Sequence, residues 1–348
     1  MRIRRTLPLV LTVVILAAAV TVAVQLRKHA PPEPARLLPA ADAFLYADFS
    51  WVRKLSTTPL PPVSHDPEYD RFIAETGFEF ERDLDAVAFA AHYPGSWQGG
   101  GSGGSALEPR FSEVFIGRFD GGRLTTYLKH MAQATETYDS VEIYTIPVDH
   151  RAFRVAILSV DSIAASNQDD PGVIRGIVDR SRRLASPFGG PALLRRYYKR
   201  VQLASPVWLV AHIEPSAPEF SGWSMVFAQP ADLVVSASYN PLHLPLRSGV
   251  LRLRAEASTG SDEVARQAIE KITLLLANFH AAEASVGAPG SDADLKAVFD
   301  SIQLHQEQSR AVLSATLPTN LFRKVVESPS QIPASESTPS SPQPSHAR

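Results

Sequence analysis

The chain has 348 residues, with 34 Lys and Arg against 36 Asp and Glu, for a net charge of −2. It holds no cysteine, which excludes disulfides, thiolate nucleophiles, iron–sulfur clusters and cysteine-ligated zinc. The balanced charge supplies no global field toward nucleic acid, and 45% hydrophobic residues are ample for the core of one large or two smaller domains.

Arg2, Arg4 and Arg5 precede an uncharged run from Leu7 to Leu26, which Arg27 and Lys28 close. At about 1.5 Å per residue, a helix over 7–26 spans roughly 30 Å, the hydrocarbon thickness of a bilayer. Residues 1–29 therefore read as an uncleaved signal-anchor, a transmembrane helix that holds the chain in the membrane. The rival is a cleaved signal peptide with its site near Thr21-Val22-Ala23, which would leave a secreted protein. The arginines before the run place the N-terminus in the cytoplasm and the bulk in an extracytoplasmic, periplasmic space, although Arg27, Lys28 and Arg36 make the margin small.

Residues 30–37 are rich in proline and read as a stiff, extended spacer. The first subdomain follows over 38–230. Strands are expected at 44–49, 87–90 and 114–117, with a short helix at 67–76 that Gly77 stops. Residues 95–105 form a Gly/Ser-rich loop. Leu124, Tyr127, Leu128 and Met131 recur at helical spacing within 123–134. A hairpin is expected from 141–146 and 153–158, and Asp170-Pro171 starts a helix to about Ala185. A short helix over 193–198 and a strand over 207–213 follow.

The second subdomain covers 231–327. Strands are expected at 233–239 and 250–257, then a long helix over 262–284 capped by Ser261 and a shorter one opened by Asp292 or Asp294. A hairpin at 302–305 and 311–317 and a helix at 319–326 close it. Residues 328–348 hold seven Ser and five Pro and read as a disordered tail, too poor in apolar surface to offset ordering entropy. The order of strands and helices predicts an α+β fold of antiparallel sheets with helices on one face, and the similar order in both halves suggests two related subdomains.

Leu38-Pro39-Ala40-Ala41-Asp42-Ala43 before the first strand, Gly117-Arg118-Phe119-Asp120 before a helix, Ser166 at a strand end, and Asp300-Ser301-Ile302 with Leu317-Pro318 at the close form a pattern. It resembles a broad family of bacterial envelope proteins that carry a domain of unknown function behind one N-terminal transmembrane helix. The resemblance covers most of 38–327 and implies architecture and location; it implies no activity.

Motifs for chemistry are sparse. Gly99, Gly101 and Gly104, or Gly100, Ser102 and Gly104, match glycine-rich signatures, but Tyr93-Pro94 before and Glu108-Pro109 after are not the strand and helix that phosphate binding or a nucleophile elbow requires. Glu79, Glu81, Asp83 and Asp85 alternate, as a cation site could, yet lack the calcium-loop pattern and enclose Arg82. The ten histidines show no metal-ligating spacing, and His212 sits inside an apolar strand. Arg195, Arg196, Lys199 and Arg200, interleaved with Tyr197 and Tyr198, form the candidate anion-binding patch. No catalytic, metal or cofactor-binding residue is assigned, and no cofactor is called for. The expected function is a non-enzymatic binding or scaffold module, membrane-attached through 7–26, with an envelope protein or polymer as partner and no nucleic acid. The alternatives are an extracytoplasmic hydrolase whose site is not visible in sequence, or a carrier of lipid or another small ligand.

Overall fold

The computed structural model describes residues 30–55, 66–93, 110–148, 151–182, 189–239, 250–286 and 293–318. The anchor 1–29, the glycine-rich stretch 95–105, the helix expected at 319–326 and the tail 328–348 lie outside the described residues. Among the described residues no helix is long and apolar enough to cross a membrane.

The described chain opens with α1 (Glu33–Leu37), β1 (Ala43–Asp48) and α2 (Phe49–Leu55). α3 (Pro67–Thr76) starts at Asp66, whose carboxylate accepts from the N–H groups of Glu68 and Tyr69. It ends at Gly77, which takes the left-handed conformation (φ 75°) that a Cβ would strain. The single turn α4 (Phe80–Asp83) leads into β2 (Leu84–His92), followed by β3 (Arg110–Gly117). α5 (Gly121–Met131), capped by Asp120, precedes β4 (Ala134–Tyr138), β5 (Val141–Val148), β6 (Arg151–Ile157) and β7 (Ser162–Ser166). α6 (Gly172–Arg182), α7 (Ala192–Tyr197) and a 3-10 turn at Tyr198–Arg200 return the chain to β8 (Val207–Ile213). A 3-10 segment at Pro218–Met225 leads to β9 (Ala231–Tyr239) and β10 (Val250–Ser258). α8 (Asp262–Val286), α9 (Ala293–Asp300), β11 (Gln303–Glu307) and β12 (Arg310–Pro318) complete it.

The α+β class holds, but the expected plural sheets are one. All twelve strands lie in a single antiparallel sheet of order β11-β12-β10-β9-β8-β1-β2-β3-β7-β6-β5-β4. Each half is a three-strand meander, a helical crossover, and a return that lays its last strand beside the third. The first half runs β1-β2-β3, α5, then β4 to β7; the second runs β8-β9-β10, α8 and α9, then β11 and β12. β1 and β8 pair antiparallel at the centre, Leu45 opposite Leu209. Equivalent strands that meet antiparallel place an approximate twofold axis through that pair, normal to the sheet. The topological second half thus begins at Val207, and the sheet runs unbroken across residue 231.

Alternate residues point to opposite faces of a strand. On the face that carries Phe44, α1, α6 and α7 seal the middle of the sheet: Phe44, Val114, Trp208 and Val210 are buried together with Ala35, Ile177 and Leu194. Residues 30–37 are therefore not a free extended spacer. Pro34 sits in the first turn of α1, where its missing N–H costs nothing, and Pro34, Ala35 and Leu37 are buried. Helices are also not confined to one face. On the face that carries Leu45, Leu124 and Leu128 of α5 pack on Tyr144, Val155 and Ile163, and Ala268 of α8 packs with Leu233, Ala257 and Ala311.

Two strands lack a hydrophobic alternation, although the resemblance marks Ser166 as the end of one of them. β4 is short and its residues are exposed or half-buried; its hairpin to β5 turns on Asp139 and Ser140, both at positive φ (45° and 62°), the mirror-image turn that matches strand twist. β7 is five residues, all buried, with no alternation to read.

Candidate functional site

The four residues of the basic patch come to lie on α7 and the turn after it, but they do not converge on one point. Arg195, Arg196 and Lys199 are exposed, whereas Arg200 is half-buried. The guanidinium carbons of Arg196 and Arg200 lie 5.2 Å and 5.1 Å from the Tyr197 ring centroid. Such cation–π contacts contribute about 0.5–1 kcal/mol each at exposed sites. Arg200 also donates to the Ser258 hydroxyl on β10. Arg200 is thus fastened to the sheet and Arg196 to the Tyr197 ring, and among the described residues Arg195 and Lys199 have no ion-pair partner.

Beside the patch runs a polar row on the Phe44 face. Cross-strand register aligns His212, Asp232, Ser258, Arg310 and Glu307 on β8, β9, β10, β12 and β11. Asp232 accepts from Tyr197 Oη and faces His212 Nδ1 at 2.8 Å. Burial, and then the hydrogen bond to Asp232, push the Tyr197 phenol up to about 12, so it stays a donor. A hydrolytic triad needs the imidazole between acid and hydroxyl. Here the order is His, Asp, Ser, and two strand spacings of about 4.8 Å put the His212 and Ser258 backbones about 10 Å apart. This row is therefore not a triad. Further along, Arg254, Glu256, Glu307 and Arg310 close a ring of alternating charge, with contacts of 2.7, 3.2, 2.8 and 3.4 Å. The ring neutralises itself and satisfies Glu256, only 5% exposed.

The alternating carboxylates at 79–85 are also accounted for locally. α4 breaks their expected extended path: Glu79 pairs with Arg82, Glu81 accepts from Tyr69 Oη, Asp83 meets Arg82 and Arg118, and Asp85 meets Arg53. Among the described residues no group of three or more His, Asp or Glu is placed to hold a metal ion.

The opposite face is built differently. One row crosses the whole sheet through the central pair. Toward one edge it runs from Leu45 to Leu209, Val235, Ala255, Leu313 and Leu304. Toward the other it runs through Phe89, Glu113, Ala165, Val155, Tyr144 and Thr135. α5 covers Ala165, Val155 and Tyr144, and α8 lies over β11 and β12. Between these helices the row opens: Leu45 is 38% exposed, and Leu209, Phe89 and Glu113 are half-buried. Phe89 stacks on Phe111 at 5.6 Å between centroids, and Phe153 lies 6.1 Å beyond.

Glu113 is the only charged member of that row. Among the described residues it has no hydrogen-bond or ion-pair partner, and burial alone pushes its carboxyl up to about 7. A perturbed acid in an apolar, partly open setting is the candidate site that this face offers. The signal was present in the sequence as Phe111-Ser112-Glu113-Val114-Phe115, where alternation puts both rings and the carboxyl on one face.

No family model matches the chain, and no curated protein matches it either. Crystal forms III, IV and I of TP0453 are similar to it, each 11% identical over 85% of this chain and over 98%, 96% and 97% of the other, with TM-scores of 0.45, 0.41 and 0.42.

Proposed function

We propose that the protein is a non-enzymatic binding module, tethered to a bacterial membrane by residues 7–26 and working outside the cytoplasm. Its binding surface is the open strip on the Leu45 face. The observation that supports this most is Leu45 itself: a large apolar side chain in a central strand of a twelve-stranded sheet, yet 38% exposed. Central positions are where burial is cheapest to achieve, and the opposite face achieves it through three helices. Apolar surface left open between two covering helices fits a ligand or partner that completes the layer.

The alternative, a hydrolase whose site is not visible in sequence, gains no support from the His212–Asp232 contact, whose strand order does not present a hydroxyl to the imidazole. The envelope location draws on the sequence of the first 29 residues and on the family resemblance.

The absence of cysteine makes the location directly testable. Val160 is 87% exposed in a turn, so Val160→Cys gives the full-length protein a single accessible thiol. In spheroplasts of a bacterial expression host, a membrane-impermeant maleimide should label it without lysis. Labelling only after lysis would contradict the proposed topology.

A further inference from the structure

Two other buried or half-buried acids on the sheet have partners. Glu256 meets two arginines, and Asp232 meets Tyr197 and His212. Among the described residues Glu113 meets none, although it lies between Phe89 and Ala165 across the strands and between Phe111 and Phe115 along its own. Withdrawing a carboxylate from water without compensation is costly, and glutamine would fill the same space without the charge. Packing therefore does not explain a glutamate there.

The surroundings define what would complement it. Phenyl rings offer no oxygen to a metal ion, but their faces attract an organic cation, and a carboxylate beside them supplies the counter-charge. Among the described residues, the arginines and Lys129 on neighbouring elements are engaged elsewhere. On α5, Arg123 donates to the Ala74 and Glu75 carbonyls, Lys129 pairs with Glu142, and His130 is exposed. On α8, Arg266 pairs with Glu263 and Glu270, and Lys271 is half-buried. Arg110, at the start of β3, pairs with Asp169.

The geometry points to Glu113 as the counter-charge for a small organic cation, an amine or quaternary ammonium group on an apolar body, seated on the strip between α5 and α8. This rests on reading the strip as the binding surface, and it sets the ligand class. A phosphate-bearing headgroup is disfavoured, because its anion would face the same carboxylate.

Calorimetry on the full-length protein in nanodiscs, with empty nanodiscs as blank, separates the outcomes. The probes are hexyltrimethylammonium, 1-hexanol, hexanoate and hexylphosphocholine at pH 8.5. We expect hexyltrimethylammonium to bind at least about tenfold more tightly than hexanol, with hexanoate and hexylphosphocholine weaker than the bare ammonium. Glu113→Gln should keep hexanol binding and bring the cation within about twofold of it, and wild type at pH 5.5 should behave similarly. Equal binding of hexanol and the cation by wild type would overturn the cation assignment and leave the strip standing. A preference that survives Glu113→Gln would overturn it too, by placing the cation elsewhere. Hexylphosphocholine as tight as the ammonium would overturn the choice of a phosphate-free ligand. No binding of any probe would overturn both the assignment and the strip.

Discussion

Phe44 and Leu45 are adjacent on the same central strand, and they meet opposite fates. Phe44 is fully buried beneath α1, α6 and α7, while Leu45 is 38% exposed between α5 and α8. The difference comes from where the helices enter the chain. α6 and α7 lie between the two halves of the sheet in sequence, so they are delivered to its centre. α5 and α8 are the crossovers within each half, so the approximate twofold puts one over each wing and leaves the Leu45 row open at the axis, while Ala43, Ala91 and Ala211 further along the same face are buried. A repeated topology thus creates the gap, and the added segment between the repeats seals the other side.

The largest test of this contrast is a pair of truncations. Phe44→Ala should cost about 3–5 kcal/mol in denaturant unfolding, from lost burial plus a cavity. Leu45→Ala should cost about 1–1.5 kcal/mol, because its side chain is only partly buried and leaves no closed cavity. Equal costs would erase the distinction between the faces.

Glu113 gives the next effect, with a pH signature. An acid pushed up to about 7 in the folded state, against about 4.3 unfolded, weakens folding progressively as pH rises between those values. Glu113→Gln should therefore stabilise the ligand-free protein by on the order of 2–3 kcal/mol at pH 8 and by roughly 1 kcal/mol or less at pH 5. Paired melts at the two pH values measure it, and a pH-independent effect would place the carboxyl in water.

In the ring of Arg254, Glu256, Glu307 and Arg310 the charges satisfy one another, so removing one should destabilise. Arg254→Met leaves Glu256 with a single arginine and should cost about 1–2 kcal/mol by chemical denaturation. The smallest effect belongs to the exposed cations: Arg195→Ala should change stability by less than about 0.5 kcal/mol.

Much of the fold was legible where local signals were strong. α3 spans the expected 67–76 and stops at Gly77, the 207–213 and 311–317 runs are strands, and the Ser261 start of α8 is where the pattern puts it. What the sequence hid is mainly tertiary. Pro32 and Pro34 read as an extended spacer because proline composition says nothing about Ala35 and Leu37 docking on a distant sheet. That two meanders share one sheet depends on the β1–β8 pairing across more than 150 residues, which no local pattern encodes. The basic run was visible by density, although Tyr197 and Ser258 take up part of it. Glu113 lies just before the strand expected at 114–117, and only the longer β3 and its register bring it into line with Phe89 and Leu45.

The most direct test of the open strip uses the cysteine-free background again. Leu45→Cys and Phe44→Cys are made separately in the full-length protein, and their reaction with a water-soluble maleimide is timed under native conditions. The account predicts that position 45 reacts at least about a hundredfold faster than position 44, whose labelling should wait on local unfolding. Comparable rates would contradict it.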